Sequence, residues 1–168
     1  ESTSVVTPDA PAVSITSITI KTNKAKYAPG DAVTFNVDKL SENSTVRYKY
    51  LNTILSEQPL TATNWTWTPP SEDYRGYMVE IYKTVDNVET ILGTTAIDVS
   101  SDWTKFPRYG FLSKFGTMSE NQITAVLDNL KDYHVNSLQY YDWGYKHHSS
   151  LKMNGSSPAA TWLDIAGR

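Results

Sequence analysis

Across residues 13–100 apolar side chains alternate with polar ones in short runs, and no stretch keeps a helical period for three turns. This period of two is the tightest constraint in the chain, because a sheet with one face in water requires it and a helix cannot use it. Ile18 and Ile20 alternate with threonines, and Val33, Phe35 and Val37 alternate with Thr34 and Asn36. Between them, Tyr27-Ala28-Pro29-Gly30-Asp31 reads as a turn in which Pro29 presets φ and Gly30 permits a positive φ. Further β-branched and aromatic runs follow at 46–50, 65–68, 76–83 and 90–99, broken at 41–44, at 69–71 and at Asp86-Asn87. About six or seven short strands in this span predict an all-β, immunoglobulin-like sandwich over 13–100.

Near residue 100 the period changes. Tyr109-Gly110-Phe111-Leu112-Ser113 reads as a short buried strand. Ser119 then precedes Gln122 by the spacing of a capping box, and Ile123, Val126, Leu127 and Leu130 recur at i, i+3, i+4 and i+7. The pattern predicts an amphipathic helix over 120–133 with Asp128, Lys131 and Asp132 turned to water. A second strand is expected over 135–141. Strand, helix, strand makes one βαβ unit with a parallel pairing. Such a unit leaves open edges and half a core, so residues 101–168 are expected to be the first part of an incomplete (β/α)8 barrel, truncated or cleaved after Arg168.

Composition agrees with a boundary at this point. Residues 1–100 carry 8 basic and 12 acidic groups, net −4, whereas residues 101–168 carry 7 and 6, net +1. The shorter second part also holds 11 aromatics against 9, and all three histidines. Residues 1–12 read as a polar linker with neither a basic start nor an apolar core, so a signal segment is expected to be absent from this chain. No run approaches the ~18 apolar residues of a membrane span. A net charge of −3 without basic clusters argues against a nucleic-acid surface. The lack of cysteine excludes disulfides, thiolate metal sites and a cysteine nucleophile.

The densest set of chemically capable side chains is Gln139-Tyr140-Tyr141-Asp142-Trp143-Gly144-Tyr145-Lys146-His147-His148, at the C-terminal end of the second strand, where barrel sites are built. Aromatic faces beside Asp, Lys and His suit a sugar, since rings stack on its C–H faces while charged groups bond its hydroxyls. Packing at a strand end accounts for the same aromatics equally well. Adjacent His147 and His148 point to opposite sides of an extended segment, so no metal site is expected. In the sandwich, Trp65 and Trp67 share one strand face. Core packing is the favoured reading of that pair over a sugar-stacking platform.

The segment 103–113, the helix, and the stretch Leu138-Gln139-Tyr140-Tyr141-Asp142-Trp143-Gly144-Tyr145-Lys146-His147-His148 closely resemble the start of the catalytic barrel in glycoside hydrolase family 66. Trp65-Thr66-Trp67-Thr68-Pro69-Pro70 and Gly76-Tyr77-Met78-Val79-Glu80 resemble that family's N-terminal immunoglobulin-like domain. The family contains endo-dextranases and cyclodextran-forming glucanotransferases. The resemblance implies cleavage of α-1,6-glucosidic bonds of dextran or isomaltooligosaccharides by retaining double displacement, with no cofactor and in a secreted or cell-surface bacterial protein. The leading expectation is an endo-dextranase; a cycloisomaltooligosaccharide glucanotransferase and a non-catalytic glucan-binding module are the alternatives. Retention needs two carboxyls ~5 Å apart across the scissile bond. The family's pair lies on later strands, so no catalytic residue is assigned in this chain. The fragment alone is expected to be inactive, and its partner is the remainder of the same polypeptide. The resemblance makes Tyr140, Asp142, Trp143, Lys146 and His147 candidates for substrate binding, with Tyr140 and Asp142 sharing the barrel interior.

Overall fold

The structure, a computed structural model, describes residues 17–112 and 118–140 and the backbone of 153–154 and 157–158. Seven strands form two antiparallel sheets. β1 (Ile20–Thr22), β2 (Val33–Val37) and β5 (Asn64–Trp67) make one, in the order β1-β2-β5. The other, in the order β4-β3-β6-β7, contains β3 (Thr45–Tyr50), β4 (Thr53–Pro59), β6 (Arg75–Val85) and β7 (Val88–Val99). The alternating residues of both sheets meet in one core, with Val33, Phe35, Val46, Tyr48, Val79, Ile81 and Ile97 at most 1% exposed. This is an all-β, sandwich-like domain.

The turns carry the chemistry that the sequence asked for. Gly30 adopts φ +87° in the turn closed by the Asp31 N–H bond to the Ala28 carbonyl. Asp86 and Asn87 both lie in the left-handed region, at φ 52° and 61°, and make a two-residue hairpin loop between Val85 and Val88. Gly93 has a different role: a Cβ there would stand 2.2 Å from the Ile18 carbonyl oxygen. Only glycine lets the segment leading into β1 lie on β7, where the Ile18 N–H donates to the Leu92 carbonyl at 2.7 Å.

β4 departs from the expected strand set. Its seven residues show no apolar alternation, and Thr53 to Gln58 are almost wholly solvent-facing. An edge strand of this kind is specified by its partner: the turn at Leu51-Asn52 folds it back along β3 from Tyr50↔Thr53 to Thr45↔Pro59.

Beyond β7 a single-turn 3-10 helix (Trp103–Lys105), capped by Asp102, leads to β8 (Tyr109–Leu112), the helix α1 (Glu120–Asp132) and β9 (Ser137–Tyr140). The expected capping box is formed, with the Gln122 N–H bonded to the Ser119 side chain and the Gln122 side chain accepting from the Ser119 N–H at 2.9 Å. β8 and β9 pair in parallel, from Tyr109↔Ser137 to Leu112↔Tyr140. A two-residue hairpin, β10 (Met153–Asn154) with β11 (Ser157–Pro158), completes the described elements.

Two expectations about α1 and β8 need correction. Asp132 is not simply solvated: it pairs with Lys21 of β1, whose ammonium is raised by that hydrogen bond. Among the described residues β8 is part-buried on the face where α1 packs and exposed on the other. Leu112 packs towards Ile123, while Tyr109 and Phe111 on the other face are each 63% exposed.

Candidate functional site

The parallel register brings Leu112 and Tyr140 level at the C-terminal ends of β8 and β9, the end from which the polypeptide runs on towards Asp142. Neither strand contains a carboxylate, so no acid/base pair is present on them. The chemistry offered here is that of an aromatic surface. Tyr109 and Phe111 stand in an edge-to-face pair, with ring centroids 6.2 Å apart, on the face away from α1. The reading of this strand as simply buried missed them as a surface; the signal was available in the alternation Tyr109, Gly110, Phe111, Leu112.

Tyr140 lies on the other face. Its ring packs with Leu112, Met118, Val126 and Leu127 around Ile123, and burial pushes its phenol upwards from the ordinary tyrosine value. It therefore faces the helix layer rather than the side held by Tyr109 and Phe111. The expectation that it looks into a barrel interior is overturned by one residue of strand phase, since a shift of one exchanges the two faces. Asp142, Trp143, Lys146 and His147 lie outside the described residues, as does His148. Of the five candidate residues the structure thus locates Tyr140 alone. Among the described residues no three His, Cys, Asp or Glu side chains are grouped to hold a metal ion. Nor is any helix among them long and apolar enough to cross a membrane.

Trp65 and Trp67 belong to the sandwich core, as expected. Trp65 stacks on Phe35 at 5.1 Å, and Trp67 stacks on Tyr48 at 4.2 Å with its edge against Tyr77. The Trp65 indole donates to the Tyr48 hydroxyl at 2.7 Å, and burial pushes that phenol up to about 12, so it remains a neutral acceptor. Rings committed in this way to neighbours within the domain are not a free sugar platform.

The described residues combine an all-β sandwich-like domain with a parallel strand–helix–strand unit. The sequence profile described as glycosyl hydrolase family 66 matches residues 22–168, and the chain belongs to that family. A cycloisomaltooligosaccharide glucanotransferase of Niallia circulans is 40% identical over 167 residues, covering 88% of this chain and 17% of the relative. A second protein of that name from the same organism is 29% identical, covering 89% and 17%. Among solved structures, a Paenibacillus sp. cycloisomaltooligosaccharide glucanotransferase complexed with cycloisomaltoheptaose aligns with a TM-score of 0.63 and 33% identity, over 89% of this chain and 23% of that one. The chain spans about a sixth of the length of the curated relatives it matches.

Proposed function

We propose that this chain is the N-terminal part of a longer enzyme that cleaves α-1,6-glucosidic bonds of dextran-type glucan with retention, and that its catalytic carboxylates lie on strands following residue 168. The observation that carries the reading is the family match, which runs without a break from the sandwich through β8, α1 and β9 to the end of the chain. In this reading residues 13–100 are an immunoglobulin-like domain and residues 101–168 open a (β/α)8 barrel. Seven strands divided three and four, with the chain changing sheets after β2, β4 and β5, support the first part. A parallel pair with an intervening helix supports the second.

Asp142, Trp143, Lys146 and His147, following the C-terminal end of β9, bind glucose units in this enzyme, and Tyr140 supports them from the helix side. The protein is exported, since its polymeric substrate does not enter a cell. The reaction is either hydrolysis, as in an endo-dextranase, or transfer to the chain's own end, giving a cyclic product. The 40% and 33% identities to proteins named as cycloisomaltooligosaccharide glucanotransferases favour transfer.

Incubation of the full-length enzyme with dextran, followed by separation of linear from cyclic isomaltooligosaccharides, tests this reading. Cyclic products are expected; linear products alone identify the dextranase, and no cleavage of α-1,6 linkages defeats the proposal. The 168-residue chain by itself should show no turnover. In the full-length enzyme Asp142→Asn should lower kcat/KM by roughly ten- to a hundredfold, the loss of one charged hydrogen bond to the sugar.

A further inference from the structure

Every described tie between the sandwich and the strand–helix–strand unit falls at one end of that unit. Asp98, between the core residues Ile97 and Val99 of β7, is only 5% exposed and points from the opposite face of the sheet. Arg108, immediately before β8, covers it: its Nε lies 2.8 Å from Oδ2 and its terminal nitrogen donates to Oδ1 at 3.2 Å. The main chain of Arg108 is in turn clasped by Asn136, the residue before β9. The Asn136 N–H donates to the Arg108 carbonyl at 2.9 Å, and its side-chain oxygen accepts from the Arg108 N–H at 3.1 Å. The Asn136 amide nitrogen also donates to the Phe106 carbonyl at 3.0 Å. A second tie joins Lys21 of β1 to Asp132 in the last turn of α1. A carboxylate at a helix C-terminus opposes the helix dipole, so Asp132 is placed there at a cost that Lys21 offsets.

Arg108, Asn136 and Asp132 all sit at the N-terminal ends of the strands, because the last turn of α1 leads directly into β9. The candidate sugar-binding segment follows the opposite ends, about 10 Å away along four residues of strand. Among the described residues both ties therefore lie at the end of the strands opposite Tyr140. We infer that Arg108 is a positioning residue: held by buried Asp98, it sets β8 and β9 in register and so fixes where β9 ends at Tyr140, the residue from which the candidate substrate-binding segment continues. This inference rests on the reading that the segment after Tyr140 binds substrate. The guanidinium suits the role because its planar fork places one nitrogen near each carboxylate oxygen in a fixed geometry that a freely rotating ammonium lacks.

The test compares Asp98→Asn, Arg108→Gln, the double variant and Arg108→Lys in the full-length enzyme, at a temperature where circular dichroism shows each one folded. Each single variant should lower kcat on dextran roughly tenfold with KM within about twofold, since misplacement far from the chemistry damages the transition state more than the bound ground state. The double variant should be no worse than the singles, and Arg108→Lys should fall between them and the native enzyme. Unchanged kcat in the folded variants, or losses that multiply in the double variant, overturns the inference. Amide hydrogen exchange in the same proteins separates this from failure of the proposed reaction. The Asn136 amide should exchange at least about tenfold faster in Arg108→Gln and Asp98→Asn, whether or not the native enzyme cleaves α-1,6 bonds. Unchanged exchange there defeats the coupling itself.

Discussion

The sandwich and the strand–helix–strand unit solve the problem of burial to very different extents. In the sandwich fifteen apolar side chains are buried in one cluster, drawn from both sheets and from the turns between them. In the second unit Ile123 alone is buried among the described residues, with five partly covered neighbours around it. Two facing sheets bury side chains between them, whereas among the described residues α1 packs on one face of β8 and β9, and Tyr109 and Phe111 on the other face are each 63% exposed. Among the described residues the first region thus has a core of its own, and the second has a single buried side chain.

That difference can be broken by substitution in the 168-residue chain. Phe35→Ala removes a ring with no exposure that stacks on Trp65, and should cost about 3–5 kcal/mol in denaturant unfolding followed by tryptophan fluorescence. Ile123→Ala should cost about 2–3 kcal/mol, confined to the second unit. Its helical circular dichroism should then disappear at lower denaturant than the Trp65 and Trp67 signal, read in a background with Trp103, Trp143 and Trp162 replaced by Phe. Coincident transitions would mean that the two regions unfold as one, through Arg108 and Lys21. Ser119→Ala removes the capping box and should cost about 1 kcal/mol of helix stability, visible in the helical circular dichroism and not in the Trp65 and Trp67 signal of the same background.

The smallest effect is expected from acid. Hydrogen bonds from Ser101 hold the Asp73 carboxyl below its ordinary value, those from Thr104 do so for Asp102, and the bond from Arg47 lowers Glu89. A carboxyl lowered in the folded state adds stability above its unfolded value, near pH 4, and loses it as the pH falls through the folded value. The sandwich should therefore hold nearly constant stability from neutral pH to about 5 and weaken below about 4. A thermal melting series against pH checks this, and a loss beginning near pH 6 would contradict it.

Much of this contrast was legible in the amino-acid order. The alternation in β2, the turn at Gly30, the hairpin at Asp86-Asn87 and the Ser119 to Gln122 box are local signals, each set by side chains within a few residues. The core role of Trp65 and Trp67 followed from the apolar character of paired rings on one strand face. Three features were not legible because they depend on distant partners. β4 has no pattern of its own and exists by pairing with β3. Asp132 looks like any polar helix residue until Lys21, far earlier in the chain, arrives beside it. The facing of Tyr140 depends on where β9 begins, and that is set by Asn136 reaching across to Phe106 and Arg108.

For the candidate site the division is sharper. The sequence marked the segment after β9 by its chemistry and, through its likeness to a glycosidase family, gave that chemistry a substrate. The tertiary structure decided which face Tyr140 takes and showed the Tyr109–Phe111 surface and the fastening of the sandwich at the far end of the strands. The sequence by itself determined the elements that carry their own pattern, β4 not among them, because periodicity, caps and turns are short-range and are written in consecutive residues. Only the tertiary structure decided facing and attachment, because a strand's phase and a buried ion pair are settled by groups that meet after folding.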